Sequence, residues 1–299
     1  MKKHRNLVVD LNNLVFSTRF AKIKTPSSMR RKEEYIPEMI FKDTLLSIVK
    51  YANEFKSDAI AIACDSSKVW RKEIYPEYKA NRDHADIYYE ETIEAANMLK
   101  RFFKECTNVA VFEVPHTEAD DIIAVIAAES GEGVENVILS SDRDFVQLIN
   151  ENTFLFSPAQ GKWRETEDAA YDLFFKCIRG DSNDNIFSAY PRVWEKKLVE
   201  AWEDEYKMLN LMETVRKDGV KVGDAYALNK KLIDLTAQPP LIRAEIEKVI
   251  KAPFQRKFGE LRMQKWLADN SLKKFSNMLQ FKERPLKGRF TLNTILQEG

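Results

Sequence analysis

Glycine, histidine and cysteine are scarce in this chain of 299 residues, which holds nine, three and three of them. With so few glycines the sequence has neither a P-loop nor a dinucleotide-binding fingerprint, which disfavours chemistry driven by ATP or a nicotinamide. The histidines form no ligand pattern. The cysteines, Cys64, Cys106 and Cys177, are odd in number and far apart. Their spacing indicates a reducing compartment and disfavours a zinc site.

Long apolar runs are also lacking. None approaches the length that crosses a bilayer, and no signal-peptide core follows the first residues. The sequence therefore predicts a cytoplasmic protein without a membrane partner. Lys plus Arg and Asp plus Glu both number 47, so the formal net charge is zero. Binding of nucleic acid would then depend on local basic patches.

Carboxylates, in contrast, occur in tight clusters. Glu118, Asp120 and Asp121 lie within four residues and lead directly into an apolar helical run. Like charges this close repel each other unless a cation lies between them, and a divalent metal ion supplies that charge. Two further acidic pairs follow along the chain: Asp142 with Asp144, and Asp181 with Asp184.

Short apolar runs predict where these acids meet. Strands are predicted at residues 6–9, 59–64, 109–112 and 137–139. They alternate with helical patterns, which is typical of an α/β fold with a mostly parallel sheet flanked by helices. Asp10 and Asp65 directly follow the first two strands, and ligands of such sheets bind at the carboxyl ends of the strands. A single Asp there can be a helix cap, as Asp121 or Asp144 could be. Acids from four strands together predict a shared metal site.

The connection between the second and third strands mixes cations with aromatic rings. It contains Arg71, Lys72, Lys79 and Arg82 among Trp70, Tyr75 and Tyr78. Cations bind phosphates and aromatic rings stack on unpaired bases, so this segment predicts binding of single-stranded nucleic acid. The alternative is a helix pair whose aromatic side chains pack inward. After residue 180 only helical patterns remain, including one over residues 193–211, which predicts a first domain over 1–180 and a smaller helical domain over 181–299.

Six motifs in a fixed order carry a resemblance to a known family. They are Val9-Asp10, Cys64-Asp65-Ser66, Tyr78-Lys79-Ala80-Asn81-Arg82, Glu118-Ala119-Asp120-Asp121, Ser141-Asp142-Arg143-Asp144 and Gly180-Asp181-Ser182-Asn183-Asp184-Asn185. In this set the chain resembles the flap endonuclease and 5′-exonuclease family, in particular its bacteriophage ribonuclease H branch. The resemblance implies a magnesium-dependent nuclease that removes RNA primers and short 5′ flaps during replication. It also implies a PIN-like nuclease domain over residues 1–180 with a helical arch at about 66–95, and a DNA-binding domain over 181–299.

The resemblance further implies a role for each site residue. One Mg²⁺ would be held mainly by Asp10, Asp65, Glu118, Asp120 and Asp142, and a second would lie near Asp144, Asp181 and Asp184. Asp121 would act from just behind the ligands. Lys79 and Arg82 would hold the scissile phosphate, and Tyr78 would stack on the end base, with Arg71 and Lys72 as further nucleic-acid contacts. Two metals roughly 4 Å apart activate the hydroxide and stabilise the leaving oxygen. Ligands that are all oxygen suit Mg²⁺, and Mn²⁺ can substitute.

The segment 186–192 departs from the family because it lacks the glycine of the usual helix-turn-helix. We therefore expect a helix-turn-helix variant with altered contact to duplex DNA. The expected partners are DNA and RNA–DNA duplexes with 5′ ends or flaps and, by resemblance, a single-strand DNA-binding protein. The protein is expected to be a monomer in the cytoplasm, that of the host if a phage encodes it. The alternatives are a PIN-type ribonuclease and a non-catalytic DNA-end binding factor with the same fold.

Overall fold

The sheet has six strands and is almost entirely parallel. The computed structural model describes residues 3–23, 35–82, 87–253, 258–270, 272, 275 and 284–292. The strands are β1 His4–Asp10, β2 Ala59–Cys64, β3 Ala110–Glu113, β4 Val134–Leu139, β5 Thr153–Ser157 and β6 Lys162–Arg164. Their order is β3-β2-β1-β4-β5-β6, and only the edge strand β6 is antiparallel to its neighbour. The four predicted strands are confirmed.

Helices flank this sheet on both faces and continue into the C-terminal part. Within the described ranges they are α1 Leu11–Lys22, α2 Ile36–Glu54, α3 Arg71–Ile74, α4 Tyr89–Cys106, α5 Ala119–Glu129, α6 Ala169–Arg179, α7 Glu195–Glu203, α8 Glu205–Glu213, α9 Val222–Ile233, α10 Pro240–Ile250, α11 Glu260–Asp269 and α12 Arg284–Lys287. No helix in these ranges combines the length and the apolar character that a bilayer crossing requires. The predicted α/β class is confirmed.

Alternation along the strands divides the core into two layers. In β1, Leu7 and Val9 face one layer, which is built with α1, α2, α4 and α11. Val8, between them, faces the other layer, which is built with α5 and α10. All six residues of β2 are buried, as expected for a parallel strand covered on both faces. The sheet is therefore a rigid platform, and its carboxyl edge lies where β1, β2 and β4 end.

The chain after residue 180 divides between two places. Helices α7, α8 and α9, which we call the helical lobe, form their own apolar cluster with α6. Helices α10 and α11 instead return to the two layers of the sheet. Near α12 the backbone lies so close to the sheet that a Cβ on Gly288 would overlap the Asp58 carbonyl oxygen. The domain division at residue 180 stays a prediction, and the lobe is the part packed apart from the sheet.

The helical pattern predicted over residues 193–211 corresponds to two helices. The chain forms two helices, α7 and α8, because Asp204 between them adopts an extended conformation and caps α8 by accepting a hydrogen bond from the Lys207 amide at 3.0 Å. Asp is strongly favoured at the N-cap, where its carboxylate accepts a hydrogen bond from the helix backbone. It is less favourable in the interior of a helix. The sequence has a further helical pattern over residues 272–281, most of which lie outside the described residues.

Candidate active site

Three acids meet at the carboxyl edge of the sheet. Asp10 is the last residue of β1 and caps α1, accepting from the Asn13 amide at 3.2 Å and from the Ser140 hydroxyl at 3.0 Å. Burial, followed by the charges of Asp65 and Asp142, raises the pKa of Asp10 to about 7. The effect of these two charges on Asp10 indicates that the acids after β1, β2 and β4 lie together, as the sequence predicts.

Asp65 fixes the start of helix α5 against the end of β2. Its Oδ1 accepts from the Ala119 amide at 2.8 Å, and its Oδ2 accepts from Asn12 at 2.6 Å. The first residue of α5 is thereby tied to the strand that carries Asp65. This contact brings the acidic N-terminus of α5 to the rim, where the positive end of the helix dipole favours carboxylates.

The first cluster consists of Glu118, Asp120 and Asp121, which each place one carboxylate oxygen within 4.8 Å of the others. Glu118 is the N-cap of α5, and its amide donates to Asp121 at 3.0 Å, completing a capping box. Burial raises the pKa of Asp120 well above its ordinary value, although Arg71 opposes the effect. Asp120 Oδ1 is buried without a hydrogen-bond partner among the described residues. Such an oxygen is well suited to bind a cation.

Arg71 lies inside this cluster rather than on the surface. Its side chain is only 1% exposed and binds Glu118 and Asp121 through its guanidinium. The predicted contact of Arg71 with nucleic acid does not fit this position, because a phosphate has no access to a guanidinium buried among carboxylates. Lys72, the next residue in α3, is exposed, and its contact with nucleic acid stays a prediction.

Tyr78 is also turned inward. Its ring is 2% exposed, and its hydroxyl lies 3.0 Å from Glu118 and 3.3 Å from Asp184. Stacking of Tyr78 on an end base does not fit this burial. The inward packing of aromatic residues, which was the alternative for this segment, is found at both Tyr78 and Trp70. Residues 83–86 of the 66–95 insertion lie outside the described part of the chain.

Lys79 bridges the first cluster and the next, and Arg82 binds the second. The Lys79 ammonium forms a close ion pair with Glu118 and lies 3.7 Å from Asp184. Arg82 donates to Asp184 at 2.7 Å and keeps 53% of its side chain exposed. Backbone contacts hold this segment in place, since the Lys79 amide donates to the Asp184 carbonyl at 2.9 Å. Both cations therefore lie at the rim between the acids, where a phosphate could replace their present partners.

The second cluster consists of Asp144, Asp181 and Asp184, whose oxygens again lie within 4.8 Å of one another. These are the three residues predicted for the second ion. Burial, followed by the charge of Asp142, raises the pKa of Asp144 to about 6. Asp142 lies beside this cluster and accepts from the Asp144 amide at 2.9 Å. The loop that carries Asp181 needs Gly180, whose φ is 74° and where a Cβ would overlap the Ile186 carbonyl oxygen.

Lys176 is a site residue that sequence reasoning missed. It extends from α6, forms a close ion pair with Asp144 and lies 2.7 Å from Asp181. The two carboxylates raise the pKa of Lys176, although burial opposes them. Burial would raise the pKa of Asp181, but Lys176 brings it below its usual value. No motif marks Lys176, and only its spacing of five residues before Asp181 offered a signal.

The donor set fits divalent cations that prefer oxygen. Both clusters offer only carboxylates, and no histidine or cysteine belongs to either. Such ligands suit Mg²⁺ and Mn²⁺ better than zinc. Asp10, Asp65 and Asp142 add three more carboxylates at the same edge. The residues present could therefore hold metal ions at two neighbouring positions.

Comparison with known proteins identifies the family to which the chain belongs. The profile described as 5′-3′ exonuclease, N-terminal resolvase-like domain, matches residues 5–173. Because this match covers more than half of the chain, the chain belongs to the 5′-3′ exonuclease family. The resemblance drawn from the six motifs is thus confirmed.

Individual relatives agree with the family assignment. The chain is 26% identical to a 5′-3′ exonuclease of Mycoplasmopsis pulmonis over 260 residues, covering 80% of this chain and 83% of the relative. It is 28% identical to the ribonuclease H of Enterobacteria phage T4 over 199 residues, covering 62% and 63%. DNA polymerase I of Mycobacterium tuberculosis is 29% identical over 241 residues. That match covers 73% of this chain but spans only about a quarter, 25%, of the polymerase.

Solved structures support the fold. The T5 protein crystallised with metal ions covers 91% of this chain and all of its own, at a TM-score of 0.63 and 18% identity. The bacteriophage T5 flap endonuclease, in a complex with DNA and metal ions, gives a TM-score of 0.62 at 18% identity and covers 92% of this chain and all of its own. At this identity the likeness establishes a shared fold, which extends over the helical C-terminal part.

Proposed function

We propose that the chain is a Mg²⁺-dependent 5′-nuclease that hydrolyses phosphodiester bonds at the 5′ ends of RNA primers and DNA flaps in duplexes. The observation that carries the proposal is the pair of neighbouring carboxylate clusters, which Lys79 bridges and to which Arg82 adds a second cation at Asp184. Membership of the 5′-3′ exonuclease family supports it. So do relatives named 5′-3′ exonuclease and ribonuclease H.

Each group of residues has a distinct task in this proposal. The first ion would be held by Asp10, Asp65, Glu118, Asp120 and Asp142, and the second by Asp144, Asp181 and Asp184. When bound, the ions would supply a nucleophilic hydroxide at neutral pH and stabilise the leaving oxygen. Lys79 and Arg82 would move from their carboxylate partners to the oxygens of the scissile phosphate. There they would offset the negative charge that develops during cleavage.

The setting of the activity is also a proposal. The substrates would be DNA and RNA–DNA duplexes with free 5′ ends or flaps, and duplex contact would involve the helical lobe and the loop before α7. A single-strand DNA-binding protein is the expected partner, and the chain would act as a monomer in the cytoplasm. Three buried cysteines without disulfides agree with a reducing compartment.

The test is a nicked duplex with a 5′ flap, labelled at the flap end and incubated with Mg²⁺ or with EDTA. The proposal predicts short labelled products only with Mg²⁺, and a ladder of sizes would separate stepwise removal from flap cutting. A matched substrate with an RNA primer would show which sugar the enzyme prefers. Tight binding without products would favour a DNA-end binding factor. Cleavage of unstructured RNA alone would favour a PIN-type ribonuclease.

A further inference from the structure

Arg71 is the largest fully buried side chain among the described residues, and it is surrounded by acids. Its Nη1 donates to Glu118 at 2.9 Å and to Asp121 at 3.0 Å, and its Nη2 lies 2.8 Å from Asp121 Oδ1. Burying a guanidinium costs free energy unless its donors and charge are matched by partners. The planar fork of arginine can meet both oxygens of one carboxylate, which a lysine cannot do. Arg71 is thus a fixed part of the first cluster.

Asp121 is held by hydrogen bonds to one of its oxygens and by an ion pair at the other. It is 0% exposed, and its Oδ2 accepts from Arg71, from the Trp70 indole at 3.0 Å and from the Glu118 amide at 3.0 Å. A carboxylate oxygen with three donors has no lone pair directed at a further ligand. Its other oxygen, Oδ1, lies 2.8 Å from Arg71 Nη2 and forms an ion pair with it, but neither atom has a hydrogen-bond partner among the described residues.

Asp120, the neighbouring acid, is in the opposite situation. Its side chain is 22% exposed, and its nearest guanidinium nitrogen is 3.8 Å away, beyond hydrogen-bond distance. Its buried Oδ1 has no hydrogen-bond partner among the residues described. Arg71 therefore distinguishes two adjacent aspartates on one helix turn: Asp121 lies in an ion pair at 2.8 Å, whereas Asp120 is 3.8 Å from the guanidinium.

We propose that Arg71 is a positioning residue that withholds Asp121 from metal coordination and leaves Asp120 and Glu118 as the ligands that α5 presents. The inference rests on the proposed function, because it assumes that the first cluster binds a metal ion. With Arg71 in place, the first cluster contains one buried positive charge, which water does not reach. Without it, Asp121 is a spare buried carboxylate beside the ion and becomes an additional ligand.

The same residue connects the first cluster to the helical lobe. Arg71 Nε donates to the Leu232 carbonyl oxygen at 2.9 Å, and Leu232 lies in the last turn of α9. The C-terminal carbonyls of a helix lack partners within the helix and accept such donors readily. The Arg71 side chain thus connects the helical lobe to the first cluster. A displacement of α9 would therefore also displace the guanidinium that orients Asp121.

The test compares Arg71→Gln with the double variant Arg71→Gln/Asp121→Asn by titrating Mn²⁺ and measuring the free ion by electron paramagnetic resonance. In R71Q the surplus negative charge is expected to tighten binding of the first ion by about tenfold. Single-turnover cleavage is expected to fall by about a hundredfold because the ligand set is wrong. In the double variant the amide that replaces the Asp121 carboxylate carries no charge, so Mn²⁺ affinity should return to within about twofold of wild type.

Arg71→Lys is the second variant and keeps the test decisive if R71Q fails to fold. It preserves the charge but loses the fork, so Mn²⁺ affinity should stay near that of wild type while kcat falls and KM is unchanged. Lys100→Gln, which removes a cation that binds Glu113 outside the site, is the matched control and should change neither quantity.

The proposal is overturned if folded R71Q binds Mn²⁺ as wild type does, or if adding D121N does not reverse its change in affinity. If Arg71 only stabilised the fold, its substitution would lower the melting temperature. The Mn²⁺ affinities of R71Q and of the double variant would then equal that of wild type. Mn²⁺ titrations need no nucleic acid. A wild type that cleaves nothing would therefore refute the proposed function, while the affinities would still decide the role of Arg71.

Discussion

In both carboxylate clusters, cations offset the repulsion between neighbouring acids, but the cations differ in burial. In the first, Arg71 is 1% exposed and is held by several hydrogen bonds. In the second, Lys176 is 27% exposed, and Arg82 is 53% exposed. The acids differ in the same direction, since two of the three in the first cluster are buried and all three in the second are only partly buried. A buried arginine cannot leave without opening the fold, whereas a flexible side chain at the rim can move into water.

This difference implies different behaviour towards ions and substrate. The first cluster has a permanent internal countercharge, and its geometry is set by α5 and the capping box. The second cluster is neutralised by side chains that an incoming metal ion or phosphate can displace. We therefore expect the first position to bind an ion in a fixed geometry and the second to bind an ion in competition with Lys176.

The largest effect is expected at Asp142, which lies beside the second cluster and acts electrostatically on both Asp10 and Asp144. Asp142→Asn should reduce cleavage of a flap duplex on the order of 1,000-fold or more, because loss of one carboxylate disturbs the binding of both ions. Binding of DNA, measured by fluorescence anisotropy, should survive. Asp172→Asn, at an exposed position on α6, is the control. Undiminished turnover in D142N would refute the metal assignment.

The next effect concerns Lys79, the cation that bridges the clusters. Lys79→Ala should slow the chemical step by about a hundredfold, the range found for loss of one electrostatic stabiliser. Single-turnover cleavage at saturating enzyme measures that step. Lys72→Ala removes a neighbouring exposed lysine and should change affinity alone. If K79A also changed only affinity, Lys79 would be a substrate contact without a catalytic role.

A smaller effect is expected at Lys176, the cation of the second cluster that an incoming metal ion can displace. Lys176→Met removes the ammonium that binds Asp144 and Asp181, so the weaker of two Mn²⁺ ions should bind about tenfold more tightly. Isothermal titration calorimetry at pH 8 measures both binding steps. Lys100→Met, which replaces a lysine of similar exposure paired with Glu113, should leave both steps unchanged. Weaker binding in K176M would mean that Lys176 organises the site instead of competing for it.

The smallest effect is a pH dependence of stability in EDTA. Folded Asp10 has a pKa of about 7 against an ordinary 3.8, so it keeps its proton to higher pH than the unfolded chain does. Ionising Asp10 therefore destabilises the metal-free fold as pH rises from about 4 to about 7. Asp10→Asn stays neutral and still caps α1. Its melting temperature should rise relative to wild type by roughly 5 °C between pH 5 and pH 8.

If the melting temperatures of Asp10→Asn and wild type changed equally with pH across this range, ionisation of Asp10 would not destabilise the fold, and the prediction would be contradicted. Addition of Mg²⁺ at pH 8 provides an internal control. The ion should stabilise wild type more than the variant, because the ionised carboxylate is then compensated by a cation.

Sequence reasoning succeeded where the signal is local. β2 is a continuous apolar run, and Asp10 and Asp65 follow their strands directly, so the parallel sheet and its acidic edge could be predicted. It failed where distant segments decide the environment. Nothing near Arg71 or Tyr78 in the chain indicates that α9 and α5 cover them, and both were predicted to contact nucleic acid. Lys176 was missed because its acidic partners belong to other elements, and no local pattern marks a helical lysine that reaches them.

The most direct test of the two-cluster account is the number of Mn²⁺ ions bound by wild type, Asp120→Asn and Asp184→Asn, each measured by titration at pH 8. The account predicts two ions for wild type and the loss of a different one in each variant, with the tighter ion lost in D120N and the weaker ion in D184N. A single ion in wild type, or the loss of the same ion in both variants, would contradict it.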